Sequence, residues 1–270
     1  MENIARINNP QEMINLVKIK DSSQPLGLAL INNKLYISDK LNGLVYDFDI
    51  KNNKTAVVPV SNFTSNLIAD SDSGILYLIN GNSINTINSK NDSLSTTTIT
   101  YASSSTNIAF ARIYNGKLYA VDKSNNMIYK FTKSKNKFIS QTVWLKDKID
   151  FTHFFDFNID GSIYLSFTDG KIFKYLSGSK TAFQVEEPAL PIASETKIIP
   201  SANANILYIL ESKNKRIVVL DKSGKYLMQY YFDQLNNMKD FSINETDKTI
   251  YILNSSSIYK TPLIDSSKKK

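Results

Sequence analysis

Lys34-Leu35-Tyr36-Ile37, Ile75-Leu76-Tyr77-Leu78, Lys117-Leu118-Tyr119-Ala120, Ser162-Ile163-Tyr164-Leu165, Ile206-Leu207-Tyr208-Ile209 and Thr249-Ile250-Tyr251-Ile252 are six versions of one phrase. Their tyrosines are 41, 42, 45, 44 and 43 residues apart. A period in the low forties is used by four-stranded propeller blades and by helical-pair repeats. Each phrase is followed by a polar turn and a second apolar run: Val45–Phe48, Ile84–Ile87, Ile128–Phe131, Ile172–Tyr175, Ile217–Leu220 and Ile258–Thr261. Several of these runs alternate with period two and are rich in β-branched and aromatic residues, which is strand chemistry. Asn42-Gly43, Asp160-Gly161, Asp169-Gly170 and Ser223-Gly224 sit between apolar runs where hairpins need positive φ. No segment carries sustained i, i+3, i+4, i+7 apolar spacing, so the chain is expected to be all-β.

Working outward, each unit gains an inner strand before the tyrosine strand: Leu26–Ile31, Leu67–Ala69, Ile108–Ile113, Phe154–Ile159, Ile198–Pro200 and Phe241–Ile243. An outer strand ends it: Thr55–Val60, Ser95–Tyr101, Phe138–Leu145, Thr181–Glu186 and Tyr226–Phe232. The sixth unit stops after three strands near Ile264, and Met13–Ile19 is available to complete it by pairing with Tyr259–Leu263. The expected fold is a six-bladed β-propeller of four-stranded antiparallel blades. Its ring is closed by an N-terminal strand on the C-terminal blade, which would cover two open edges. The blades are expected at 25–61, 64–101, 105–146, 151–187, 195–233 and 238–264, with 13–19 as the closing strand.

Composition narrows the chemistry. The 270 residues include no cysteine and one histidine, His153. Disulfides, thiolate nucleophiles, cysteine-ligated metals and multi-histidine metal sites are therefore excluded. The formal charge of +7 comes from 32 Lys+Arg against 25 Asp+Glu. Only Arg6, Arg112 and Arg216 are arginines, whereas nucleic-acid readers favour the planar guanidinium fork. The lysines read as solvated surface, and Lys268-Lys269-Lys270 as a frayed end. Residues 1–25 lack the apolar stretch of a signal peptide, and no run is long enough to span a bilayer.

Leu210-Glu211-Ser212-Lys213-Asn214-Lys215-Arg216-Ile217-Val218-Val219-Leu220-Asp221-Lys222-Ser223-Gly224-Lys225-Tyr226-Leu227 resembles an NHL-type repeat, and Val121–Tyr129 is a weaker copy. Over its whole length the chain is similar to six-bladed NHL- and TolB-like propellers. In particular it resembles the C-terminal propeller of membrane-bound PPM-family serine/threonine phosphatases of candidate-phyla-radiation bacteria, with Glu2–Pro10 looking like the lead into blade one. The resemblance implies an upstream phosphatase and membrane helix, hence an extracytoplasmic domain of a bacterial membrane signalling protein. No phosphatase activity carries over, because the metal-binding aspartate motifs have no counterpart in these residues.

In a propeller the loops before the inner strands converge on the central channel. The residues at that position are Pro25, Asn66, Asn107, His153, Lys197 and Asp240. Asn66, Asn107, His153, Lys197 and Asp240 are the candidate ligand-binding set, suited to a small polar ligand or a peptide terminus. Lys197 and Asp240 belong to adjacent blades, so a structural salt bridge also explains them. His153 and Asp156 should point to opposite faces of a strand, which argues against a catalytic dyad. The six tyrosines are expected between sheets, and Trp144 either half exposed at a rim or packed on the next blade.

The function expected is non-catalytic: a binding or sensor propeller presenting loops to a protein, peptide or small polar ligand, as a monomer without cofactor or nucleic acid. Two alternatives stand beside it. One is a calcium-dependent lactonase or hydrolase, which needs several oxygen ligands where the set offers Asp240, Asn66 and Asn107. The other is single-stranded RNA binding on a basic face.

Overall fold

The computed structural model describes residues 3–61, 63, 67–103, 106–108 and 110–264. Asn66, the expected starts of the second and third blades at 64 and 105, and Lys268–Lys270 lie outside them. The chain divides into two compact units, Ser22–Thr152 and Met1–Asp21 with His153–Lys270. Apart from one three-residue 3-10 turn, the regular structure of the described residues is strand. No helix among them is long and apolar enough to cross a membrane.

The chain opens with β1 (Ile4–Arg6) and β2 (Gln11–Asn15). The Ser22–Thr152 unit then builds three meanders. The first is β3 (Gly27–Ile31), β4 (Lys34–Asp39), β5 (Leu44–Asp49) and β6 (Lys54–Pro59). The second is β7 (Ile68–Asp70), β8 (Ile75–Asn80), β9 (Ser83–Asn88) and β10 (Leu94–Ile99). The third is β11 (Phe110–Tyr114), β12 (Lys117–Asp122), β13 (Met127–Ser134) and β14 (Lys137–Val143). Within each meander neighbouring strands pair antiparallel. The turns follow local chemistry: Asn32-Asn33 and Asn115-Gly116 take positive φ at both positions, the backbone of tight two-residue hairpins. Gly43, Gly161, Gly170 and Gly224, the expected turn glycines, all have positive φ.

The other unit continues with β15 (Phe154–Ile159), β16 (Ser162–Phe167), β17 (Ile172–Leu176) and β18 (Ser179–Lys180). Next come β19 (Thr196–Pro200), β20 (Ile206–Glu211), β21 (Arg216–Asp221) and β22 (Tyr226–Tyr231). The last three strands are β23 (Met238–Asn244), β24 (Thr249–Asn254) and β25 (Ser257–Pro262). β2 pairs antiparallel with β25, Gln11 opposite Lys260 and Asn15 opposite Ser257. The pairing strand is thus shorter and earlier than 13–19, because Leu16–Lys18 curls into the 3-10 turn, with Asn15 capping it by accepting from the Val17 amide.

Two further expectations are corrected. The strands form five hydrogen-bonded sheets, not six, because β10 and β14 pair in parallel and fuse the second and third meanders into one sheet of eight. The sheet of β19–β22 also gains β1, parallel to β22. And Thr181–Glu186 is not a strand: only Ser179–Lys180 pairs with β17. Beyond Thr181 the chain leaves that edge, and Glu186 donates its amide to the carbonyl of Gly224 instead.

All six repeat tyrosines are buried, together with the aliphatic residues that flank them. Within each unit the core clusters join successive meanders. One cluster gathers Tyr36 and Val45 with Leu76, Leu78 and Ile87. The next joins Tyr77 and Ile84 to Leu118, Phe131 and Phe138. In the other unit Tyr164 and Ile172 pack with Ile209 and Val218, and Tyr208 and Tyr230 with Phe241 and Ile252. Burial holds Tyr164 and Tyr208 far above the ordinary phenol range, as expected of packing groups rather than solvent-facing ones.

Candidate functional site

The loops that lead into the inner strands are held by a recurring device at the end of the second strand. Asp39, the last residue of β4, is fully buried. It accepts from the Ser23 hydroxyl and the Gln24 amide at 3.0 Å, and from the Asn42 amide and side chain at 3.2 and 2.9 Å. Asp122, at the same place in β12, accepts from the amides of Asn107 and Asn125 at 3.1 Å and from the Asn125 side chain at 2.8 Å. Glu211 in β20 accepts from the Ala193 amide at 2.8 Å, from Asn214 and from Arg216. Asn254 in β24 does the same neutrally, taking the Asn237 amide at 2.8 Å. Each of the three carboxylates clamps the incoming loop to the hairpin that follows, and Asn254 tethers the incoming loop. The carboxylates are buried at low cost because each is surrounded by donors.

This clamp gives the Glu211-to-Arg216 phrase its physical meaning. Arg216 is fully buried and donates to Glu211, to Gln229 at 2.8 Å, and to the carbonyls of Leu190 and Pro191 at 2.7 and 3.0 Å. The guanidinium thereby fixes the long connection from β18 to β19. Sequence reasoning noticed the acidic-x-x-Asn spacing in two units without assigning it a role. The same spacing at Asp39 and Asn42 was the available signal.

The candidate binding residues stand as follows. Asn107 is exposed, and its backbone is the part tied to Asp122. His153 is exposed; its carbonyl accepts from the Thr168 amide at 2.7 Å and its ring nitrogen lies 3.5 Å from the Thr168 hydroxyl. The alternation used to separate His153 from Asp156 does not apply, because a bulge between Phe154 and Asp156 resets the register. Lys197 and Asp240 meet in an ion pair at 3.2 Å, each side chain 16% exposed. Both lie inside strands, β19 and β23, rather than before them. Asp240 also accepts from the Phe241 amide at 3.0 Å. Pro25 is buried. Trp144 is half-buried, its ring edge-on to Tyr119 at 6.1 Å. Among the described residues no group of three His, Cys, Asp or Glu side chains is placed to hold a metal ion.

No protein-family model and no curated protein sequence matches the chain. Solved structures do. The calcium-binding protein regucalcin from Agrobacterium tumefaciens superposes with a TM-score of 0.65 at 11% identity, over 96% of this chain and 95% of that one. A gluconolactonase from Xanthomonas campestris gives 0.63 at 11% identity, covering 97% of both chains. The WD40 β-propeller domain of Doa1 gives 0.55 at 10% identity, over 88% of this chain and 93% of that one. The fold is a β-propeller. At such identities the likeness extends to the fold and stops there. In a propeller the clamped loops are the parts that vary while the sheets stay fixed, so the clamps determine how rigidly any site on them is presented.

Proposed function

We propose that the protein is a non-catalytic binding or sensor propeller of six blades. Each meander supplies one blade, and β2 completes the last one as its closing strand. The observation that carries this reading is the set of buried clamps at Asp39, Asp122 and Glu211, with the half-buried Asn254 tethering a fourth loop. They fix loops before any ligand arrives, and preorganised loops lower the ordering cost of binding. The proposed contact residues for a protein, peptide or small polar ligand are Asn107, with Asn66, in one unit and His153, Lys197 and Asp240 in the other. The resemblance to phosphatase-linked NHL-type propellers supports reading such a module as part of a larger membrane signalling protein.

The likeness to regucalcin and to a gluconolactonase favours a second reading, a calcium-dependent hydrolase. Against it, Asp240 already neutralises Lys197, and a cation there would have to displace that ammonium. Thermal unfolding with and without calcium separates the two. The binding reading expects no calcium-dependent rise in Tm. A rise that disappears in Asp240→Asn would overturn it in favour of the hydrolase.

A further inference from the structure

The repeat tyrosines are alike in sequence but not in what meets them. The register sets one third-strand residue directly opposite each: Asp47, Thr86, Lys130, Lys174 and Lys260 opposite Tyr36, Tyr77, Tyr119, Tyr164 and Tyr251. Opposite Tyr208 stands Val219, an apolar residue where the other five are polar. Lysines attend three of the other tyrosines. The ammonium of Lys34 lies 6.0 Å from the centre of the Tyr36 ring, that of Lys174 lies 5.4 Å from the centre of the Tyr164 ring, and that of Lys133 donates to the Tyr77 hydroxyl at 2.9 Å. Tyr208 is only 3% exposed, yet its hydroxyl makes no hydrogen bond among the described residues. The Tyr164 hydroxyl is also unpaired, but it is sealed from solvent. Tyr208 instead lines a cleft. A buried polar group left unpaired at the wall of a cleft points to something that binds there.

The cleft holds about 350 Å³, lined by Asn203, Ile206, Tyr208, Glu245, Lys248 and Leu263 among others. Ligand sites usually span about 300–1,000 Å³, so this one suits a body the size of a single amino acid. It lies wholly within the unit of Met1–Asp21 and His153–Lys270, between the β19–β20 turn, the β23–β24 turn and the end of β25. Its two charges are unmatched. Glu245 accepts from the Asn203 side chain at 2.9 Å, a neutral donor that leaves the carboxylate its full charge. That charge reaches Tyr208, where it adds to burial in holding the phenol above its ordinary range. Lys248 is exposed and forms no ion pair among the described residues, with Glu245 or with any other carboxylate. Ile206 and Leu263, both half-buried, give the cleft an apolar wall.

We propose that this cleft binds a free α-amino acid with an aliphatic side chain. The ligand's ammonium meets Glu245 and the Tyr208 hydroxyl, its carboxylate meets Lys248, and its side chain lies along Ile206 and Leu263. Lacking the third-strand partner and the lysine found at other repeats, Tyr208 has its hydroxyl free to accept from that ammonium. One unmatched group of each sign selects a zwitterion. A bare amine leaves Lys248 without a counter-charge, and a bare acid leaves Glu245 without one. The site lies at the other ends of β19 and β23 from Lys197 and Asp240, and it does not depend on that contact set.

The test is an NMR titration of the full chain with L-leucine, using isoamylamine and isocaproate as the fragments that lack one charge. Leucine should give saturable shifts at the amides of Ala204, Thr246 and Leu263 below about 10 mM, and each fragment should bind about tenfold more weakly or worse. Tyr208→Phe removes a hydroxyl that pairs with nothing, and Glu245→Gln still accepts from Asn203. Both should weaken leucine about fivefold or more while leaving Tm unlowered. Unchanged leucine affinity in Tyr208→Phe would make the hydroxyl a packing group and overturn the proposal. No saturable shift, or a fragment that binds as tightly as leucine, would overturn it as well. So would binding that appears only after residues 265–270 are removed, which would give the cleft to the chain's own end.

Discussion

Replacing Arg216 by methionine tests the clamp most directly. The guanidinium has no solvent exposure and donates to Glu211, Gln229, Leu190 and Pro191, with a longer contact to the Tyr231 hydroxyl at 3.5 Å. Methionine fills much of the volume but supplies no donor. Glu211 would keep the Ala193 amide and Asn214, yet its charge would be buried without a counter-charge. Removing one partner of a buried ion pair costs about 3–5 kcal/mol. For a chain of this size that is a fall in Tm of roughly 10 °C. Urea denaturation followed by far-UV circular dichroism would measure the loss, and amide exchange would place its first effect between β18 and β19. Adding Glu211→Gln to the variant removes the stranded charge and should return about 1–2 kcal/mol. A single-variant loss below about 1 kcal/mol, or a double variant no better than the single, would refute the account of Arg216 as the anchor of that connection.

Asp47 offers a pH test: burial pushes its carboxyl up to about 6, Asp92 adding to the shift while Lys34, at 2.5 Å, opposes it. A group raised above its unfolded value stabilises the fold below that value, so stability should fall as pH rises from about 4 to about 6. Asp47→Asn should flatten that slope in Tm against pH; an unchanged slope would assign it elsewhere. Gly224→Ala, with φ of +102° and no room for a Cβ, should cost about 2 kcal/mol or more and loosen Thr181–Glu186, read as new proteolytic nicking there. Deleting residues 1–15 bares the edges of β22 and β25 and should produce oligomers in size-exclusion chromatography, whereas a monomeric, equally stable product would deny β1 and β2 their role as edge cover.

The tyrosine phrase, the turn glycines and the third-strand runs were legible because each is set by local chemistry: alternation, β-branching and positive φ. The pairing of a segment near the N-terminus with β25 was legible by counting strands. Its bounds were not, since Asn15 capping a 3-10 turn is a local contest that periodicity does not register. Of the candidate site, the Lys197 and Asp240 ion pair followed from the adjacency of their repeats in the sequence. The contact between His153 and Thr168 did not, because a single bulged residue reverses every facing after it.

What the sequence determined by itself is the repeating all-β unit, for strand and hairpin preferences act over a few residues and recur with each copy. Tertiary structure decided which edges are joined and which stay open. β10 meets β14 in parallel, and Thr181–Glu186 alternates as a strand should, yet it turns away to Gly224. Backbone hydrogen bonds are indifferent to side-chain identity, so the choice of partner rests on packing between sheets, which no single stretch of residues contains.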